Sequence, residues 1–541
     1  MAKTIIKAVG LSLIMASVLP MAQAADVPEG TRLHPVQELI KGNGGEPASL
    51  DPQKIEGTTG SAPSKDLFEG LVQQDDYGNV IPGQAESWSI SEDNRVFTFH
   101  LRDGLKWSDG EPLTAHDFVF AWRRLVDPNT AARYAWYLEI ATVANATDII
   151  LGKKSPAELG VRALDDRTFE VTLDKPVPYF VKMLGHQSTY PTPQHVVERL
   201  GDRWTRPGNM VSNGAYVLTD WVVNERIVME RNPLYWDDEN TVINKVSYLA
   251  IESGNSELSR YRAGEIDLTS TGIPIEHYKS LKAERPDEVV TTPYLGAYYY
   301  EFNTKVPPFD DKRVRKALSL AVEREKITTY VLGQGQRPAF TFTPQSVSGY
   351  NPPEVEYANW TSEQRMAEAK RLMAEAGYGP DKPLTINLLY NTNENHKKIA
   401  VVISQLWKPL GVRVSLENQE WKTFLDTRNQ GRFEMARAGW VGDYNDASTM
   451  LDILLSNHGQ NKGQWHNAEY DRILNESRMI ADDAERAKYY ERAERIIVEE
   501  MPIIPVYEQV ITRLKRPYVG GYPMNNVEDS IYTKNLYIIA H

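Results

Sequence analysis

From Val96 the chain alternates. Phe97, Phe99 and Leu101 fall on one side, and Val96, Thr98 and His100 on the other, which predicts a half-buried strand. The Asp-Gly pairs at Asp103-Gly104 and Asp109-Gly110 then supply tight-turn chemistry. Thr114 stands three residues ahead of Asp117, an N-cap followed by an acid, and predicts a helix through Trp122 that stops near Asp127-Pro128.

A longer α/β rhythm starts at Thr361. Thr361 and Gln364 form a capping-box pattern, and Met366, Ala369, Leu372, Met373 and Ala376 mark an apolar helical face that ends at Gly377. A strand over Leu384–Tyr390, a helix over Glu394–Trp407 and a strand over Val412–Leu416 make a βαβ unit, hence a parallel pair. A short helix from Trp421 to about Arg428 and a strand from Phe433 into Arg437 follow. In such sheets ligands lie beyond the carboxyl ends of strands, which draws attention to Arg437–Asp443. No internal repeat or low-complexity tract is present.

Residues 1–24 read as a secretory signal peptide. Lys3 and Lys7 form the basic start, Ala8–Leu19 the apolar stretch and Ala22-Gln23-Ala24 the cleavage site, with cleavage expected after Ala24. No cysteine follows the apolar stretch, which excludes a lipoprotein anchor. The formal charge of -13 becomes about -15 once Lys3 and Lys7 are removed. That acidity argues against nucleic acid and anionic membranes as partners. The chain contains no cysteine, so a disulfide is excluded, and its 541 residues suit two or three domains. Its 12 tryptophans and 28 tyrosines are core material, and are also suited to walling a wet cleft.

Hydrolase machinery is missing. The chain has no Gly-x-Ser-x-Gly elbow, no Ser-x-x-Lys and no His-Glu-x-x-His, and its 10 histidines lack i, i+4 metal pairing. Gly333-Gln334-Gly335 reads as a loop. No metal, cofactor or catalysis is expected. A periplasmic peptidase or amidase is the rival from another class, and is disfavoured because it lacks a nucleophile or metal motif. Arg437-Ala438-Gly439-Trp440-Val441-Gly442-Asp443 instead offers a cation and an anion around two glycines. A zwitterionic ligand such as a short peptide needs such a pair of charges, and glycine lets its backbone come close.

Several segments together carry a resemblance to a known family. They are Ser49-Leu50-Asp51-Pro52, Asp66 to Leu71, Trp107 to Val119, Val211 to Tyr216, Asn232 to Trp236, Asn418 to Thr423 and Arg437 to Asp443. Over its whole mature length the chain resembles the periplasmic oligopeptide-binding proteins of bacterial ABC importers, extracellular solute-binding family 5. Within the family it is most similar to the murein peptide-binding members. General receptors carry a cysteine pair at the positions of Gly296 and Val441, and a lysine at the position of Leu332.

The resemblance implies an α/β, two-lobed binding-protein fold of three domains with a hinge. Domain I comprises 25–69, 194–294 and 511–541; the inserted domain II is 70–193, and domain III is 295–510. It implies a monomeric periplasmic receptor that captures short peptides and hands them to an inner-membrane ABC peptide permease. The ligand it implies is the murein tripeptide L-Ala-γ-D-Glu-meso-diaminopimelate, with a broad oligopeptide range as the alternative. Asp443 would take the ligand α-ammonium, and Arg437 and His396 its carboxylate. Glu56 would lie in a facing strand segment near a basic side chain or a closing-lobe partner. Backbone flanking Gly57 and Gly439 would pair with the peptide, and Tyr134, Tyr294, Tyr299, Trp421 and Trp440 would wall the pockets. Arg428 would hold the free α-carboxylate of the D-glutamyl residue.

Overall fold

The computed structural model describes residues 25–541, so the expected signal peptide lies outside the described residues. In the first lobe, strands Glu38–Gly42, Lys245–Leu249, Arg226–Arg231 and Tyr216–Val222 form one sheet in that order. A second sheet orders Ala85–Ile90, Val96–Leu101, Thr168–Thr172 and Val161–Asp165, antiparallel throughout. The alternation from Val96 is resolved as expected, with Phe97, Phe99 and Leu101 buried. Helix Ala115–Val126 packs on this sheet, its Trp122 ring edge-on to Phe169 at 5.2 Å. At its start, Asp117 accepts the Thr114 backbone N–H at 2.9 Å. One continuous hydrophobic core joins both sheets.

The second lobe is built on a six-stranded mixed sheet. Its order is Arg337–Pro338, Ile503–Leu514, Val289–Phe302, Met435–Val441, Leu384–Asn391 and Val412–Gln419. Leu384–Asn391 and Val412–Gln419 are parallel and joined by helix Glu394–Leu406, the βαβ unit read from the sequence. Helix Ser362–Glu375 opens on the Thr361/Gln364 capping box, and Gly377 takes φ +85° just past its end. Period two sorts the long strand's side chains. Tyr298, Tyr300 and Phe302 enter the core on one face, and Leu295, Ala297 and Tyr299 the core on the other.

Val289–Phe302 and Ile503–Leu514 pass between the lobes as neighbours. They pair as Val289↔Leu514 through Pro293↔Val510, lose register, and resume at Ala297↔Glu508. Leu268 bridges Lys41 and Lys515, tying the first half to the first lobe. The interrupted ladder at Pro293–Ala297 is where this two-strand connection is least constrained.

Many segments that carry the family resemblance hold buried polar networks. Asp51 accepts from Arg124 and from the Trp204 indole, and Asp66 from Tyr248 and Thr533. Glu69 accepts from Gln84, Tyr235 and Trp236. Each is a buried carboxylate that would be costly without these donors.

Two sequence expectations are corrected. Glu56 lies in a loop ahead of helix Thr58–Leu67, not in a strand. The strand expected to end at Arg437 runs on to Val441, because Gly439 and Val441 continue the ladder opposite Tyr298 and Gly296.

Candidate ligand-binding site

Strand Met435–Val441 pairs along one side with Val289–Phe302. On its other side it pairs with Leu384–Asn391 only at Met435 and Ala436. From Arg437 to Val441 that second edge is unpaired, and it borders a cavity of about 600 Å³ between the lobes. Unpaired backbone N–H and C=O groups along a wet cleft are a template for an added strand.

Eleven of the twelve residues named from the sequence line this cavity: Glu56, Gly57, Tyr134, Tyr294, Tyr299, Trp421, Arg428, Arg437, Gly439, Trp440 and Asp443. His396 does not line it. Its ring sits behind, 5.5 Å from Tyr298, and its Nδ1 is buried without a partner. Burial and then the nearby Arg437 hold that imidazole well below its ordinary range, hence neutral. Leu332 is buried and lies outside the cavity wall.

At one end Asp443 is a largely buried carboxylate with no lysine or arginine within ion-pairing distance among the described residues. Its neighbours are the Tyr134 hydroxyl, 3.4 Å away, and His186 Nε2, 3.7 Å away. His186 is stacked on Tyr134 at 4.5 Å, and burial pushes it down to about 3, so it carries no charge. Burial pushes Asp443 up to about 8, eased by the Tyr134 hydroxyl. Glu528 stands nearby on the C-terminal tail, is pushed up to about 7 by burial, and accepts from Gln74 at 2.6 Å. Lys65 donates to Ser530 at 2.7 Å. This end of the cavity favours an incoming cation.

The other end has the reverse imbalance. Arg437 has no carboxylate within ion-pairing distance among the described residues, and its Nε is buried without a partner. Its guanidinium lies 4.7 Å over the Tyr298 ring and 3.4 Å from Asn391 Oδ1. To reach there it crosses Gly439, where a Cβ would stand 3.1 Å from Arg437 Nη2 and 3.3 Å from Gln509 Nε2. A Cβ there would press the Arg437 fork and the Gln509 amide aside by a few tenths of an ångström. Gly439→Ala should displace the Arg437 fork and weaken ligand binding about 10-fold without loss of fold, read by calorimetry against thermal melting. Unchanged affinity would show that the crossing is immaterial.

Arg428 reaches the cavity already neutralised. Its Nε and Nη2 donate to the two oxygens of Glu301, the latter contact at 3.3 Å; Glu301 is buried and Arg428 nearly so. Glu56 lies 3.8 Å from Arg133, a basic side chain of its own lobe. Gly57 adopts φ +89°, with nothing within 4 Å of the place a Cβ would take, so backbone conformation alone calls for glycine there.

His186, Glu528, Lys65, Gln509 and Glu301 were not foreseen. Each comes from a segment remote from the Arg437–Asp443 run and carries no local motif. Among the described residues, no group of three or more His, Asp or Glu is placed to hold a metal, and no helix is long and apolar enough to cross a membrane.

Known proteins share this architecture. The periplasmic oligopeptide-binding protein OppA of Salmonella typhimurium is 52% identical over 96% of both chains. The periplasmic murein peptide-binding protein MppA of Escherichia coli is 45% identical over 98% of both. The structure of the latter superimposes with a TM-score of 0.91 at 46% identity, covering 94% of this chain and 100% of that one. Its unliganded open form gives 0.74 at the same identity, over 95% and 99%. Haemophilus influenzae OppA in complex with the peptide RPPGFSPFR gives 0.89 at 49% identity, over 94% and 100%. The chain thus superimposes better on the peptide-bound neighbour than on the unliganded open form. The family model described as "Bacterial extracellular solute-binding proteins, family 5 Middle" matches residues 79–462, and the chain belongs to that family.

Proposed function

We propose that this protein is a periplasmic receptor that captures short peptides, the murein tripeptide foremost, and delivers them to an inner-membrane ABC permease. The observation that carries the reading is one unpaired carboxylate and one unpaired guanidinium flanking an open strand edge, Asp443 and Arg437. The guanidinium lies over Gly439, four residues from Asp443, a span of ~13 Å at strand rise. An extended tripeptide measures ~10 Å and needs a hydrogen bond at each end; a nonapeptide measures ~30 Å. The names of the relatives, oligopeptide- and murein peptide-binding, support the class. Closure pivots at the interrupted ladder, beside the expected boundaries at 294/295 and 510/511.

A broad oligopeptide range is the second reading, favoured by the nonapeptide bound to the Haemophilus influenzae neighbour. Titration calorimetry on ligand-stripped protein separates the two. The murein tripeptide should bind at least 10-fold tighter than L-Ala-L-Gln-L-Lys, which lacks both the free D-glutamyl α-carboxylate and the distal carboxylate of diaminopimelate. Equal affinities would establish the broad range, and binding of neither would overturn both readings.

The same titration has a pH signature. With Asp443 at about 8 in the empty cavity, an arriving α-ammonium replaces the proton the carboxyl holds. Below pH 8 binding should release close to one proton, and affinity should rise up to 10-fold per unit from pH 6 to 8. Calorimetry in buffers of different ionisation enthalpy measures the release; none at pH 6.5 would contradict an Asp443–ammonium contact.

A further inference from the structure

A second opening spans the lobes and shares no lining residue with the peptide cavity. It is a groove of about 1170 Å³ between helix Ile275–Glu284 on the first lobe and, on the second, turn Ile327–Leu332 and helix Glu394–Leu406. The turn is π-helical, a conformation often found at functional sites. Val331, Val402 and buried Leu332 contribute apolar floor, and Val401 and Tyr330 rise from it 41% and 82% exposed.

The rim has the opposite character. It carries four lysines, Lys279, Lys282, Lys397 and Lys398, against the single acid Glu276. Lys398 and Glu276 pair across the lobes at 3.2 Å. Lys279, Lys282 and Lys397 then have no carboxylate within ion-pairing distance among the described residues. In a chain with 73 acidic and 60 basic side chains, this local excess of cations runs against the whole. An apolar floor favours a hydrocarbon body, and uncompensated lysines favour an anionic head.

We infer that this groove is a second ligand site, for an amphipathic organic anion, and that its occupancy is coupled to closure of the lobes. The coupling follows from position. The Tyr278 hydroxyl of the first-lobe wall lies 2.8 Å from Thr291 on the crossing strand, and Gln334 beside the π-helical turn donates to the Ile273 carbonyl at 2.5 Å. The walls belong to different lobes, so a ligand that fits the groove as formed here favours this lobe arrangement, and by linkage each ligand raises affinity for the other.

The test titrates ligand-stripped protein with dodecanoate below its micelle concentration, with cholate, and with dodecyl maltoside as a neutral-headed control. At least one anion should saturate a single site at least 10-fold more tightly than the maltoside, the tighter one naming a chain-like or a rigid body. Val401→Asp and the double variant K279E/K282E should each weaken it at least 10-fold, while Asp443→Asn leaves it intact. A saturating anion should tighten tripeptide binding at least 3-fold. No saturable site, equal binding of the neutral amphiphile, or full binding by both groove variants overturns the site. Unaltered tripeptide affinity overturns the coupling.

Discussion

Asp443→Asn should weaken binding of peptides with a free α-ammonium by about 10²–10³-fold, and yet raise the melting temperature of the ligand-free protein at pH 8. The loss follows because Asp443 is the unpaired carboxylate at its end of the open strand edge, and an amide cannot neutralise an ammonium in a buried site. The gain follows from its titration. Burial raises the folded-state carboxyl to about 8, whereas the unfolded chain ionises near ~4. Between those values the folded form holds a proton that the unfolded form has released, so stability falls as pH rises across the window. The amide does not titrate. The stability gap between variant and wild type should therefore open above pH ~4, widen to about pH 8 and then level off, reaching a few kcal/mol. Calorimetric binding and thermal melts at pH 5 and pH 8 check both parts. An N-acetylated tripeptide, lacking the ammonium, should not distinguish the two proteins. Retained affinity for the free peptide, or a variant less stable at pH 8, would sink the assignment.

What could be read in advance follows the range of the interactions. Thr114 with Asp117, and Thr361 with Gln364, are contacts three residues apart, and both helix starts stand where the sequence puts them. The βαβ unit is likewise a matter of local periodicity. The sequence pattern ends this strand at Arg437 because Gly439, inside Arg437–Val441, and Gly442, just past it, weaken the strand signal. In the fold, Gly439 is a strand residue that makes room for the Arg437 side chain, a reason visible only once Tyr298 is opposite. The charge balance of the cavity was less legible still. Whether an arginine is free or already neutralised depends on a partner such as Glu301, 127 residues from Arg428, and no spacing rule reaches that far. His186 and Glu528 likewise meet Asp443's end from the inserted sheet's loops and the C-terminal tail.

That neutralised arginine sets the sharpest test of ligand choice. The double variant E301Q/R428Q should remain folded and lose most of its preference for the murein tripeptide over the analogue in which only the D-glutamyl α-carboxyl is amidated. Arg428 alone is the wrong target. Removing it leaves Glu301 buried without its cation, at a cost of about 3–5 kcal/mol, so lost binding would be indistinguishable from lost structure. Changing both members to amides removes both charges at once; Glu301→Gln keeps its shape, and Arg428→Gln is shorter but leaves no buried charge unpaired. In the wild type Glu301 takes Nε and Nη2, leaving Nη1 outside that ion pair. A ligand carboxylate that accepts from it gains a charge-assisted hydrogen bond of about 1.5–3 kcal/mol, or ~10–150-fold in affinity. Asp443 and Arg437 are untouched in the variant, so the control peptide should bind as it does to wild type. If the preference survives the double change while melting shows an intact fold, Arg428 and Glu301 are scaffold, and the extra carboxylate is held elsewhere in the cavity.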